Sequence, residues 1–83
     1  MVRVHRATTD LATAWRIRDE LAGHPLLGGA AAHIEVLAGF EKVELDGWTD
    51  DENLTRLAVR LTVRAAGRRA VRTRLSLRNG LAH

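Results

Sequence analysis

Residues 43–77, VELDGWTDDENLTRLAVRLTVRAAGRRAVRTRLSL, decide the fold that the sequence predicts. Residues 43–46 alternate apolar and polar side chains, which is the period of a half-buried strand. Gly47 ends this alternation, and apolar residues at helical spacing follow it. Alternation returns over residues 71–77 and predicts a second strand. The stretch therefore predicts a strand, a glycine corner, a helix and a strand, against which the rest of the chain packs.

The predicted helix carries signals at both of its ends. Thr49 and Glu52 have the spacing of a capping box, in which each side chain satisfies a backbone N–H at the helix start. Asp50, Asp51 and Glu52 place negative charge at the positive end of the helix dipole, so capping explains these carboxylates without catalysis or a metal. Gly67 stands where a terminating glycine adopts the αL conformation. The predicted buried stripe consists of Leu54, Leu57, Ala58, Leu61 and Ala65.

An earlier helix is predicted over residues 11–22, where apolar residues also recur at helical spacing. The competent N-caps for it are Thr8, Thr9 and Asp10. Trp15 falls on its apolar stripe and is expected to anchor the core. Gly23 and Pro25 are expected to end the helix.

The remaining segments predict a connector and further strands. Residues 26–32 form the connector, whose leucines tuck under the helix and whose glycines stop any continuation. Residues 33–38 alternate again, and a short loop at 39–41 joins them to a strand that begins at Lys42, which predicts a hairpin. Alternation within residues 1–6 predicts a short edge strand.

These elements predict an α+β fold, a two-layer sandwich in the order (β)-α-β-β-α-β. It has a small mixed sheet with two helices on one face. A chain of 83 residues has room for one hydrophobic core, so residues 1–83 are expected to form a single domain with its core between residues 8 and 77. A domain of this size buries roughly 60% of the surface of its unfolded chain, so modest stability is expected.

The composition excludes several classes of protein. The chain has no cysteine, hence no disulfide framework and no thiolate chemistry. No apolar run approaches the roughly 20 residues of a membrane span, and residues 1–6 lack the apolar core of a signal peptide. The predicted location is the cytoplasm, with peripheral membrane contact, or the cell envelope if the chain is an excised domain or a processed form.

Charge is segregated along the chain. The formal net charge is +3 at pH 7, yet all 10 acidic residues lie at or before Glu52. Beyond Glu52 there are 8 arginines and no acidic residue. The candidate anion-binding residues in this second half are Arg56, Arg60, Arg64, Arg68, Arg69, Arg72 and Arg74.

The spacing of these arginines predicts where they lie. The first three are four residues apart, which places them in one ridge along the predicted helix. Arg68 and Arg69 follow at its C-terminal end, where cations complement the helix dipole. Arg72 and Arg74 project from the polar face of the last strand. Guanidinium groups bind phosphate through paired hydrogen bonds, so the array suits anionic lipid headgroups or nucleic acid.

The hairpin and the closing strand resemble those of a known family. The residues that carry the resemblance are Ile34-Glu35-Val36, Val43-Glu44-Leu45-Asp46-Gly47 and the run 67–77, which opens on a second glycine. Over residues 8–77 the pattern resembles the BON domain, a small bacterial module of envelope and stress proteins. Arg68 stands where that family usually has valine, and Thr73 where it has asparagine. The resemblance implies phospholipid binding or membrane tethering, without enzymatic activity.

The leading prediction is therefore a non-enzymatic module, with no metal and no cofactor, that docks on anionic phospholipid through these arginines. For Arg72 and Arg74 the alternative is pairing with acidic residues of the hairpin across the strands. The acidic residues concerned are Glu35, Glu44 and Asp46. For the arginines of the helix the alternative is simple solvated charge.

Two other classes of function stay open. The second is a protein–protein adaptor or self-associating domain that uses the outer face of the sheet or a free edge strand. Nucleic-acid binding comes third. The order of elements also resembles a KH-type RNA module, but the Gly-x-x-Gly loop that such a module needs is absent from the sequence.

The remaining polar and aromatic residues predict no catalytic or metal site. The four histidines, His5, His24, His33 and His83, lack the spacing of metal ligands. Ser76 has no base near it in sequence. Trp48 is expected to be partly buried at the start of the helix. The alternative is exposure beside Phe40, where the two rings would form an apolar tip for a membrane or a partner.

Overall fold

The computed structural model describes residues 1–78 and contains a four-stranded mixed sheet with three helices. The elements are β1 (Val2–Val4), α1 (Leu11–Ala22), α2 (Pro25–Gly28), β2 (Ala32–Ala38), β3 (Lys42–Thr49), α3 (Glu52–Ala66) and β4 (Ala70–Leu77). The strand order is β1-β2-β3-β4, with an antiparallel β2–β3 hairpin between two parallel pairs. The predicted α+β fold is confirmed. His83 lies outside the described residues.

The hydrophobic core lies between one face of the sheet and the two long helices. Alternate residues of the central hairpin, such as Ile34 and Leu45, are completely buried on this face. Ile17 of α1 and Ala58 of α3 are equally buried against it. The other face of the sheet carries the intervening polar residues. It is called the helix-free face below.

Helix α3 begins differently from the prediction. Asp51 is its N-cap, and the Asp51 carboxylate accepts a hydrogen bond of 3.0 Å from the backbone N–H of Leu54. Thr49 is instead the buried last residue of β3, and its hydroxyl hydrogen-bonds to Thr55 Oγ1 at 2.7 Å. The predicted capping box of Thr49 and Glu52 is therefore wrong, because β3 extends two residues beyond Gly47 and holds Thr49 in the sheet.

Helix α1 is capped by Asp10, one of the three predicted candidates. Its buried face runs through Ala14, Ile17 and Leu21. Trp15 is 52% exposed, so the prediction that it anchors the core is wrong. Trp15 lies two residues from Ile17, which is about 200° around a helix, so the two side chains point to opposite sides.

The segment after α1 is more regular than predicted. Gly23 ends α1 as expected, but Pro25 opens the short helix α2 rather than only terminating α1. Proline fits there because its fixed φ suits the first turn and its missing N–H is not needed. Leu27 is buried as expected, whereas Leu26 stays exposed.

The two glycines that frame α3 have positive φ angles for different reasons. Gly47 lies inside β3 with φ 124°, and a Cβ there would collide with the carbonyl oxygen of His33 on the paired strand. Gly67 ends α3 as predicted, but its φ of 67° and ψ of −122° are not αL. They match the first central position of a type II′ turn, and the Arg69 N–H donates to the Ala66 carbonyl at 3.4 Å.

These two environments predict unequal costs for replacing glycine with alanine. Gly67→Ala should lower the free energy of unfolding by about 1–3 kcal/mol, because the added Cβ meets open space and only the backbone is strained. Gly47→Ala should cost more than about 3 kcal/mol, because strain and a backbone clash combine. Urea denaturation of both variants measures the difference. Equal losses, or a larger loss at Gly67, would contradict this account.

Candidate functional site

The predicted arginine array does not form one surface. Arg56, Arg60 and Arg64 lie on the exposed side of α3 and are called the arginine ridge. Arg72 and Arg74 lie on the helix-free face, at the other side of the sheet. The turn between α3 and β4 holds Arg68 and Arg69. A flat ligand such as a bilayer therefore contacts either the ridge or the strand arginines, but not both.

The arginine ridge is turned to solvent along its whole length. Arg56 makes an ion pair of 3.7 Å with Glu52, but both side chains are about two-thirds exposed, so the pair contributes little. Arg60 and Arg64 make no ion pair with any carboxylate of residues 1–78. From Arg56 to Arg64 the ridge spans about 12 Å, since an α-helix rises 1.5 Å per residue.

Helix α1 lies beside the ridge and adds charged and aromatic groups to the same layer. Arg16 and Glu20 of α1 face Arg64 across a groove between the two helices. Trp15 stands on the exposed side of α1, with the guanidinium of Arg18 5.9 Å from its ring centroid. The layer of helices therefore carries exposed guanidinium groups on α3 and an exposed indole ring on the flank of α1 that faces away from the groove.

Arg69 has a structural role. Its guanidinium makes a 2.7 Å ion pair with Asp10, and these side chains are only 23% and 12% exposed. A second nitrogen donates to the Ala66 carbonyl at 3.3 Å. The pair ties the turn before β4 to the N-terminus of α1, and it leaves this guanidinium engaged within the molecule.

The Asp10 carboxylate is held in its ionised form. Hydrogen bonds from the Thr13 side chain and backbone lower the pKa of Asp10 below its usual value of 3.8, and the positive charges of Arg69 and Arg16 act in the same direction. Burial opposes these effects without overcoming them. Asp10 therefore serves both as the cap of α1 and as the anionic partner of Arg69.

Arg72 and Arg74 lie opposite acidic residues without pairing with them. Their register partners on β3 are Glu44 and Asp46. Neither arginine makes an ion pair within residues 1–78. Glu44 instead pairs with Lys42 at 3.6 Å, Glu35 pairs with Arg3 at 3.2 Å, and the Asp46 carboxylate accepts a hydrogen bond from the Gly47 N–H at 2.9 Å. The register that the pairing alternative requires is present, but the ion pairs are absent from this structure. Both guanidinium groups are exposed.

Trp48 is partly buried, as predicted, by contacts that the sequence did not indicate. Its ring stacks with that of His33 at a centroid distance of 6.2 Å, and the guanidinium of Arg78 lies 3.9 Å from its centroid. Arg78 Nη2 also lies 2.7 Å from Asp50 Oδ1. The two groups form an ion pair, but these atoms are not aligned for a hydrogen bond. The sequence placed Arg78 on the polar face of the last strand with Arg72 and Arg74, but it did not indicate these contacts, since they join residues that are far apart in sequence.

The alternative of an apolar tip formed by Trp48 and Phe40 is wrong. Phe40 is 72% exposed in the β2–β3 loop, whereas Trp48 lies near the far end of β3. Eight residues of strand separate the two rings by roughly 25 Å. Phe40 is therefore an isolated exposed ring.

Metal-binding clusters and membrane-spanning helices are both absent from the described residues. Within residues 1–78, no three His, Asp or Glu side chains are grouped closely enough to hold a metal ion. In the same range, no helix has both the length and the apolar character needed to cross a bilayer.

Comparison with protein-family models, with curated proteins and with solved structures gave no match to this chain. The resemblance to the BON domain therefore stays a prediction.

The lowered pKa of Asp10 predicts a pH dependence of stability. Asp10→Asn should lower the free energy of unfolding at pH 7, because the neutral amide keeps the cap but loses the charge-assisted bond from the Thr13 hydroxyl and the ion pair with Arg69. A depressed pKa contributes stability above the unfolded value of 3.8, and this contribution is lost as the pH falls through the lower folded value. The difference between wild type and variant should therefore shrink in acid.

Chemical denaturation at several pH values measures this difference. Asp19→Asn is the matched control, because Asp19 belongs to the exposed pair with Arg18 and should change stability little at any pH. A destabilisation by Asp10→Asn that stayed constant from neutral to strongly acidic pH would contradict the role given to the ionised Asp10 carboxylate and its partners, Thr13 and Arg69.

Proposed function

We propose that this chain is a non-enzymatic module that docks on anionic phospholipid surfaces through the arginine ridge. The observation that carries the proposal is that Arg60 and Arg64 are exposed and make no ion pair within residues 1–78. Guanidinium groups that are not paired within a protein are available to bind phosphate oxygens.

The energetics favour a ridge of several charges over a single one. Each basic residue near an anionic bilayer contributes about 1 kcal/mol, so the ridge together with Arg68 supplies useful but salt-sensitive docking. The exposed Arg68 follows the ridge at the end of α3 and carries no ion pair in the described residues. Arg69, by contrast, is left out of the docking surface because Asp10 binds it.

Trp15 supports a membrane rather than a dissolved anion as the ligand. It is 52% exposed in the layer of helices that also carries the ridge. Indole rings favour the boundary between water and lipid, because the ring is apolar and its N–H stays hydrogen-bonded. The module would then lie on the bilayer as a peripheral protein, with α3 parallel to the surface. The resemblance to the BON domain implies the same type of ligand.

The strand arginines provide a matched test of this proposal. Arg60→Gln with Arg64→Gln removes two charges from the ridge, and Arg72→Gln with Arg74→Gln removes two from the helix-free face. Co-sedimentation with vesicles of equal parts phosphatidylcholine and phosphatidylglycerol should weaken roughly tenfold or more for the ridge variant. The strand variant should keep most of the wild-type binding.

The outcomes separate a docking surface from a general effect of charge. Equal losses in the two variants would show that net charge alone attracts the protein to the vesicles. Wild-type binding that is negligible, or equal for neutral and anionic vesicles at low salt, would overturn the proposal. High salt should release the wild-type protein, since exposed charges are screened.

The fluorescence of Trp15 gives an independent readout. In a Trp48→Phe variant, Trp15 is the single tryptophan, and its emission should shift to the blue when anionic vesicles are added, because the ring leaves water. A Trp15→Ala variant in the natural background should show weaker vesicle binding with an unchanged salt dependence. Unshifted Trp15 emission on bound vesicles would place the contact elsewhere on the module.

A further inference from the structure

The outer edge of β4 is open along its length, unlike the other edge of the sheet. β4 has 8 residues and pairs with β3 on one side, with no strand on the other side among residues 1–78. At the opposite edge, β1 has 3 residues, and Arg18 Nε donates to its Val2 carbonyl at 3.1 Å. Proteins generally shorten or cover edge strands to avoid unwanted pairing. By these criteria, β1 is protected and β4 is not.

The register shows which backbone groups of β4 are free. The N–H of Ala70 donates to Glu41 and the N–H of Arg78 donates to Thr49, both on the β3 side. In a parallel ladder, alternate residues bond to the same neighbour, so the intervening residues point their N–H and C=O groups the other way. These intervening residues are Val71, Thr73, Leu75 and Leu77. Their backbone groups are therefore available to an added strand.

The side chains beside this edge are apolar on one face and basic on the other. On the helix side, Val71 and Leu75 remain only half-buried. Val63 of α3 is 48% exposed and lies on the flank of the helix opposite Leu61, which lines the groove toward α1. Because α1 packs over β1 and β2 and α3 packs over β4, the flank of α3 that faces away from α1 lies on the side of the β4 edge. On the helix-free face, the exposed groups next to the edge are Arg72 and Arg74.

A second copy of this chain is a poor occupant for the edge. β4 contains no acidic residue, so pairing two copies through it would bring the arginines of both onto the same face. Like charges placed across paired strands are destabilising. The same arginines favour a strand with acidic side chains on that face.

We propose that the β4 edge binds an extended peptide of a partner protein in which acidic and apolar residues alternate. The peptide backbone pairs with the free groups of Val71, Thr73 and Leu75. Its acidic side chains contact Arg72 and Arg74, and its apolar side chains cover the exposed flank at Val63. This mode of binding is strand addition, in which main-chain hydrogen bonds give affinity and side chains at alternate positions give selectivity.

The molecule already contains one strand of this composition beside β4. Val43-Glu44-Leu45-Asp46 of β3 alternates apolar and acidic residues and places Glu44 and Asp46 opposite Arg72 and Arg74. Those carboxylates make no ion pair with the two arginines. The guanidinium groups therefore keep their capacity for a second acidic strand on the other side.

A labelled peptide provides the test. The probe is a fluorescein-labelled peptide with blocked ends, as long as β4, in which valine and glutamate alternate. In the first control peptide, lysine replaces every glutamate. In the second, the same residues are arranged as one block of valines followed by one block of glutamates. Fluorescence anisotropy should show saturable binding of the alternating acidic peptide. The lysine peptide should not bind, and the block peptide should bind at least about tenfold more weakly.

Two protein variants test the side-chain contacts and the backbone pairing separately. Arg72→Gln with Arg74→Gln should weaken binding of the peptide about tenfold, because two cross-strand charge pairs are lost. Thr73→Pro removes an N–H that points to the free edge and has no partner in the described fold, so the variant should fold but lose binding. Circular dichroism shows whether the proline variant is folded. If it is unfolded, the test relies on the arginine variant.

The outcomes distinguish this proposal from phospholipid docking. The ridge variant, Arg60→Gln with Arg64→Gln, should bind the peptide normally, and the strand variant should bind vesicles normally. Unchanged peptide binding in the strand variant, or equal binding of the alternating and block peptides, would overturn the strand-addition site. If sedimentation velocity shows that the wild-type protein is a dimer and that Thr73→Pro converts it to a monomer, a second copy of the chain occupies the β4 edge. That result would overturn the proposal that the edge binds a partner peptide. Loss of vesicle binding in the strand variant but not in the ridge variant would overturn the proposal and assign Arg72 and Arg74 to lipid.

Discussion

The parallel pairing of β4 with β3 determines where every arginine of the second half of the chain lies. A parallel neighbour needs a crossover connection, and α3 provides it across one face of the sheet. The side of α3 opposite the sheet must then face solvent, which exposes the ridge. The same pairing turns alternate residues of β4 away from the helices, which places Arg72 and Arg74 on the helix-free face.

This separation allows one small domain to carry two independent basic surfaces. The ridge is convex and formed by long side chains on a helix, which suits a broad, flat layer of phosphate groups. The strand arginines instead flank a row of free backbone groups on a straight edge, which suits an extended chain. In the two proposals, guanidinium groups supply the same kind of attraction at both places, and the shape of the backbone beneath them would distinguish the ligands.

The remaining arginines stabilise the fold around these surfaces. Arg69 joins the start of β4 to the cap of α1 through Asp10, and Arg78 joins its end to Trp48 and Asp50. Both contacts link the acidic half of the sequence to the basic half. The segregation of charge along the chain thus has a structural use, because pairs between distant segments hold the last strand at both of its ends.

Because strand and helix periods are local properties of the chain, the sequence by itself determined the strands, the two long helices and their order, but not the short helix α2. It placed Gly67 at the end of α3 and identified the arginine ridge, whose geometry follows from the helix alone, but Gly47, predicted to end the strand, lies inside β3. The tertiary structure decided how these parts meet. Trp15 is exposed because burial depends on which side of α1 faces the sheet, and Thr49 is not a cap because pairing with β2 and β4 extends β3 past Gly47. The division of the arginines between two faces, and the free edge of β4, depend on strand pairing between residues far apart in sequence, which no local pattern records.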